Sequence, residues 1–316
     1  MNSLRNSDRR LPAATAFILI LSSLLALLLL AAAAQASLPG RNGAIAFARS
    51  SSARSPSDIW IQSRSGKQRR LTTSPGVEET SPAFSPDGRL IAYVRREGED
   101  ADIWLMRSDG TEKRVVVDTA EDDLQPSFFP GGQSLVFTIY DEGSWTVDSV
   151  RIDGSGLRPQ VFDGSSPVIS PNGRWLAYSR EGDGGGIGLR NLRTREIRRL
   201  TKGSAQELDF SPDGRRLVFT GQRRCGGGDR HLRFALLSVG LNDGRPRFLR
   251  RSCSQEFISP AWSPDGRMIV FTQKTSKPGQ LHFKLAMLTA GGAPTGGAPA
   301  HRPGTEEIFP AWQPLR

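Results

Sequence analysis

A carboxylate recurs at intervals along the chain, always a few residues before an apolar or proline-containing stretch: Glu78-Glu79, Asp122-Asp123, Glu207, Glu256 and Glu306-Glu307. Acids brought to one place attract a cation or a Lys/Arg-bearing peptide. Other chemistry is thinly supplied. His231, His282 and His301 are the only histidines, and no H-x-H or H-E-x-x-H joins them, so metal catalysis lacks its usual ligands. No G-x-S-x-G pentapeptide offers a nucleophile elbow. The runs Gly184 to Gly186 and Gly226 to Gly228 precede no helical pattern and read as hairpin loops, not phosphate cradles. No cofactor is expected. Two cysteines, Cys225 and Cys253, are too few for a disulfide scaffold or a cysteine-built zinc site.

The elements that must position these residues announce themselves as a repeat. One copy reads Ser81-Pro-Ala-Phe-Ser-Pro-Asp-Gly-Arg-Leu-Ile-Ala-Tyr93, and others start at Gln125, Ser166, Glu207 and Ser259. Their turn residues Pro86, Pro130, Pro171, Pro212 and Pro264 stand 44, 41, 41 and 52 residues apart. Such periods suit four-stranded blades of a β-propeller. A sixth copy is divided: Phe309-Pro-Ala-Trp-Gln-Pro314 ends the chain, and Asn42-Gly-Ala-Ile-Ala-Phe47 supplies the missing half. The expectation is an all-β, six-bladed propeller over 37–316, its closing blade shared between the two termini, with Phe309 and Trp312 buried. In each blade a Pro-Asp-Gly turn joins the innermost strand to an apolar second strand, with Gly taking φ > 0. Segments such as Asp58-Ile-Trp-Ile61 and Asp102-Ile-Trp-Leu105 form third strands. The doublets Arg69-Arg70, Arg198-Arg199 and Arg250-Arg251 fall on fourth strands, where charge discourages edge-to-edge pairing.

The repeat Pro-x-[Phe/Trp]-Ser-Pro-Asp-Gly-Arg, with the Asp-Ile-Trp that opens third strands, closely resembles the WD40-like (PD40) repeat of the TolB family. The resemblance spans nearly all of 41–314. It implies a TolB-like propeller standing without the α/β domain that precedes it in the Tol–Pal proteins. Similar blades also form lids of prolyl-oligopeptidase-like enzymes and carbohydrate lyases, so the repeat specifies a fold more sharply than an activity.

Residues 1–36 combine Arg5, Arg9 and Arg10 with an apolar run and end in Ala34-Gln35-Ala36, the pattern of a cleavable secretory signal. An uncleaved anchor is the other reading, and only that reading brings a membrane in as a partner. Either way the chain is expected in the periplasm, outside the cell or at the envelope. In an oxidising compartment Cys225 and Cys253 become disulfide candidates. They follow a second and a fourth strand, whose loops emerge on one face. Hydrophobic residues at 37% and charged ones at 23% exclude a disordered tail and a multi-span membrane protein. The net charge of +10 is carried by 42 Lys+Arg with few tyrosines and no aromatic-basic stripe, so no nucleic acid partner is expected.

In a propeller the recurrent acids enter the channel opposite the Pro-Asp-Gly turns. Glu79, Asp123, Glu207, Glu256 and Glu307 are therefore expected at the axial mouth, holding a protein segment or a cation. The two readings are a non-enzymatic binding or scaffold propeller, and a glycan lyase or hydrolase with its site in the channel. The lack of converging histidines favours binding.

Overall fold

The computed structural model describes residues 40–52, 55–182, 184–225, 232–277 and 280–315. The expected leader, His231 and the Gly226 to Gly228 run lie outside them. The described chain is all β, with no helix long and apolar enough to cross a membrane among these residues.

Six antiparallel sheets follow the repeats. Blade 1 orders β23 (Glu306–Leu315), β1 (Arg41–Ser50), β2 (Asp58–Gln62) and β3 (Gln68–Arg70). Its innermost strand is thus the last of the chain. Blade 2 is β4 (Glu78–Phe84), β5 (Leu90–Glu97), β6 (Asp100–Arg107) and β7 (Arg114–Val117). Blade 3 is β8 (Asp122–Phe128), β9 (Ser134–Asp141), β10 (Ser144–Arg151) and β11 (Arg158–Phe162). Blade 4 is β12 (Gly164–Ile169), β13 (Trp175–Arg180), β14 (Ile187–Asn191) and β15 (Ile197–Arg199). Blade 5 is β16 (Gln206–Phe210), β17 (Arg216–Arg224), β18 (Leu232–Gly240) and β19 (Arg247–Arg250). Blade 6 pairs only β20 (Gln255–Trp262), β21 (Met268–Lys277) and β22 (Gln280–Thr289). Where a fourth strand was expected, a single bridge joins Leu288 to Pro294. The segment that follows, Ala290 to Gly304, is crowded with Gly and Pro, which cannot sustain a ladder.

Each Pro-Asp-Gly or Pro-x-Gly turn closes as expected, its glycine at φ between 66° and 70° from Gly88 to Gly266. In four of these turns a serine locks the loop: Ser85 Oγ donates to Asp87 Oδ1 at 2.6 Å and accepts from Leu90 N, a pattern repeated at Ser170, Ser211 and Ser263. Because strands alternate direction, these turns share one face of the disk. Hairpins between second and third strands, and the crossovers into each next blade, share the other, called here the hairpin face.

Alternation sends one side of each blade towards its predecessor and the other towards its successor. The core is accordingly six apolar clusters, one at every blade junction. The outer arginines do more than discourage pairing. Arg69, Arg114 and Arg198 each donate to a backbone carbonyl of the following blade, at Asp109, Ile152 and Leu241.

Candidate functional site

All six innermost strands carry the same defect. Ser81, Gln125, Ser166, Glu207, Ser259 and Phe309 have φ between 49° and 55°, and the pairing register shifts beside each of them. A left-handed non-glycine residue costs roughly 1 kcal/mol or more, so a sixfold recurrence marks a built β-bulge. The next residue explains it: Pro82, Pro126, Pro167, Pro260 and Pro310 have no N–H for the ladder, and Leu208 occupies the same place in blade 5. A bulge turns the residues ahead of it relative to those behind. This divides the five expected carboxylates into three kinds.

Glu79, Asp123 and Glu307 stand two residues before the bulge and are 1%, 0% and 0% exposed. Glu79 accepts from Ser74 Oγ at 3.1 Å, and its backbone N–H bonds Ser57 O in blade 1. Burial raises its pKa above the carboxylate range; hydroxyl hydrogen bonds oppose that, and Asp58 adds to it. Asp123 accepts from Thr119 N and Thr119 Oγ1, both at 3.1 Å. Burial, assisted by Asp102 and Asp118, still pushes it to about 7. Glu307 is held by Arg49, with Nη2 at 2.6 Å and Nε at 3.1 Å, while His301 Nδ1 lies 3.5 Å from its other oxygen. The guanidinium of Arg49 stacks 4.6 Å from the Trp60 ring.

Glu256 sits one residue farther back and pairs with Lys274 on the neighbouring strand at 2.7 Å. Glu207 is the bulge residue itself. It accepts from Thr220 Oγ1 at 2.7 Å and reaches across to Ser259, whose N–H donates at 2.7 Å and whose hydroxyl donates at 3.0 Å. Gln125 does the same from blade 3, bonding Thr138 and the Ser166 N–H and hydroxyl. Glu207 is therefore a clasp between innermost strands, and Gln125 is its uncharged counterpart.

The five acids are thus held one to a blade, each by its own partners. Among the described residues no three His, Cys, Asp or Glu side chains gather as a ligand set. The sequence reasoning passed over three groups. The repeat already aligns Gln125 with Glu207, but an uncharged residue drew no attention in a search for carboxylates. Arg49 carries no local signal, because its partner lies 258 residues away. Asp209 replaces the small residue after the proline position, accepts from Trp262 N at 2.7 Å in the next blade, and is pushed by burial to about 7.

Blades 2 and 3 differ from the rest of the hairpin face. Among the described residues neither Glu79 nor Asp123 is in a salt bridge, although Arg95 stands opposite Glu79 and pairs with Glu97 at 2.9 Å and Arg96 holds Asp122 at 2.8 Å. Exposed Glu99, Asp100, Asp118, Asp141 and Glu142 lie on the loops of these two blades. Glu121 is held above its usual range, by desolvation and by Asp141, Glu142 and Asp100, so the loops of the two blades face one another. Tyr140 and Trp145 stack there with centroids 4.3 Å apart. At blades 5 and 6, Cys225 and Cys253 stand with Cα atoms 5.7 Å apart and their sulfurs in bonding contact.

A family model described as the TolB beta propeller domain matches residues 41–235. The Tol-Pal system protein TolB of Gluconobacter oxydans (strain 621H) is 34% identical over 101 residues, 31% of this chain and 22% of that protein. The match therefore spans about a fifth of that relative's length. Among solved structures, TolB from Acinetobacter baumannii superposes with a TM-score of 0.68 at 22% identity, covering 86% of this chain and 67% of that one. An oligogalacturonate lyase in complex with manganese superposes at 0.53 and 15% identity, covering 84% of this chain and 80% of that one. At such identities the likeness is one of fold.

Proposed function

This chain belongs to the TolB beta propeller family, and from that premise we propose that it is an exported, non-enzymatic binding propeller that engages a cationic protein segment at the axial mouth of its hairpin face. The observation that carries the reading is the asymmetry of the carboxylates. Glu256 and Glu307 already hold Lys274 and Arg49, and Glu207 is spent as a clasp. Glu79 and Asp123 are not salt-bridged among the described residues, and the exposed acids of blades 2 and 3 surround their end of the ring. A Lys- or Arg-bearing segment, or a simple cation, would be drawn to that arc and would relieve its self-repulsion. The Tol-Pal name of the relative agrees with a protein partner. The leader over 1–36 delivers the chain to the periplasm or envelope.

Calorimetry with octalysine and with calcium tests this. Octalysine binding should strengthen between pH 6 and pH 8 as Asp123 ionises, and the doubly neutralised Glu79→Gln/Asp123→Asn variant should weaken it. If neither ligand gives heat with the wild type, the reading fails.

The second reading, a glycan lyase or hydrolase, is supported by the lyase-like fold. It needs a histidine and carboxylates converging in the channel, and the described residues supply no such group.

A further inference from the structure

The hairpin face is electrically divided. Across the channel from the acidic arc, blades 5 and 6 present Arg223 and Arg224 at the end of β17, Arg233 at the start of β18, and Arg250 and Arg251 where the chain crosses over. Arg224 and Arg251 are exposed, and the other three are half-buried. The arc is also held in place. Arg223 Nη2 donates to Cys253 Sγ and Arg233 Nε to Cys253 O, both at 3.3 Å, so both arms of the hairpin are tied to the crossover that carries Arg251. The Arg250 and Arg251 guanidinium groups lie over Phe257 and Phe248, at 5.5 and 5.3 Å from the ring centroids. The acids nearest this arc are engaged: Glu207 in its clasp and Glu256 with Lys274.

We propose that this basic arc docks an acidic, extended segment of a partner protein, and that the acidic arc opposite fixes the rotational orientation of the bound partner about the propeller axis. The proposal rests on the reading that the hairpin face receives protein. Charge complementarity argues for a protein against the other anionic occupants. A bilayer or a long polyanion would cover the whole face and meet Glu99, Asp100, Asp141 and Glu142, which would repel it. A folded partner can set an acidic segment on one arc and a basic one on the other. Like charges brought together in the wrong orientation then reject it. Six nearly equivalent blades offer six similar orientations, and a divided face selects one.

The test uses fluorescein-labelled octaglutamate and anisotropy with the full exported chain. The wild type should bind it, more weakly as salt rises. The R224E/R251E variant should lose about tenfold or more in affinity while keeping its melting temperature. The R89E/R215E variant changes net charge equally, but on the exposed Pro-Asp-Gly turns, and should stay within about twofold of wild type. Equal losses in both variants would mean that octaglutamate senses only net charge and would overturn the proposal. So would vesicles of phosphatidylglycerol binding as tightly through Arg224 and Arg251, since a lipid surface would then be the occupant. Absence of octaglutamate binding also overturns it. Octalysine binding reports on the acidic arc alone, so failure of this proposal and failure of the previous one are separable.

Discussion

The junction between blades 4 and 5 and the seam between blades 6 and 1 do the same job with different materials. The first buries thirteen apolar residues, among them Ile187, Leu189, Phe210, Phe219 and Leu237. The seam buries three, Ile45, Phe47 and Leu285, with Trp60 and Trp312 packed beside them. What the seam lacks in apolar area it replaces with charge and ladder. Across the seam, Glu306 of β23 accepts from the backbone N–H of Phe283 in β22, and His301, on the segment leading into β23, lies 3.5 Å from Glu307. Within blade 1 itself, Arg49 of β1 holds Glu307 of β23. The two terminal strands pair from Arg41–Leu315 to Ser50–Glu306. Asn42 and Gln313 tie this blade to the turns of blades 6 and 2 by accepting from Asp265 N and donating to Gly88 O. A junction made by chain continuity can rely on greasy, non-directional contact. The β1–β23 pairing inside blade 1, which must find its partner across the whole sequence, uses directional contacts that are satisfied in one register only.

The comparison breaks most severely if the seam is cut. Deleting Phe309 to Arg316 removes most of β23; Phe309 and Trp312 prove to be half-buried, not buried as expected. Their direct loss is correspondingly smaller, but with the ladder gone the total should exceed about 5 kcal/mol, comparable with a domain's whole stability. An unchanged melting temperature would refute ring closure by β23. Next comes Arg49→Met, which strands a buried carboxylate and should cost about 3–5 kcal/mol in urea titration. The double variant Arg49→Met/Glu307→Leu should recover much of that; no recovery would mean that the pair is not what holds the seam.

The link between Cys225 and Cys253 sits at the junction of blades 5 and 6. Closing a chain separation of 28 residues, it should contribute about 3.6 kcal/mol in the chain-entropy model. Mass spectrometry of the non-reduced exported protein should find no free thiol, and two freely alkylated cysteines would sink the assignment. The smallest effect is expected from Asp123. Its folded pKa of about 7 lies above the unfolded value, so the folded state keeps a proton that the unfolded state loses. Stability should therefore fall as pH rises from about 4 to about 7, Asp209 adding in the same sense. Asp123→Asn should raise the melting temperature at pH 8 by about 2–4 °C and change it little at pH 4. An equal shift at both pH values would show that the carboxylate is not desolvated.

The architecture was legible because it depends on local rules repeated six times. Pro fixes φ, Gly accepts φ > 0, and apolar alternation fixes which side of a strand is buried, so turns, strand order and the divided closing blade all follow from spacing. Blade 6 escaped because a run such as Ala290 to Gly304 shows that a strand cannot form, whereas the count of copies says only that one is due. The carboxylates were legible as a recurrence and illegible as a site. Acids at nearly the same offset fell at three positions around a bulge, and a shift of one residue in a strand sends a side chain to the other face. Sequence by itself determined the periodic backbone, because each of its causes acts within a few residues. Only the tertiary structure decided which acid meets Arg49, which clasps the next blade and which stays outside any salt bridge among the described residues, because those partners are chosen by closure of a ring that brings residue 49 to residue 307.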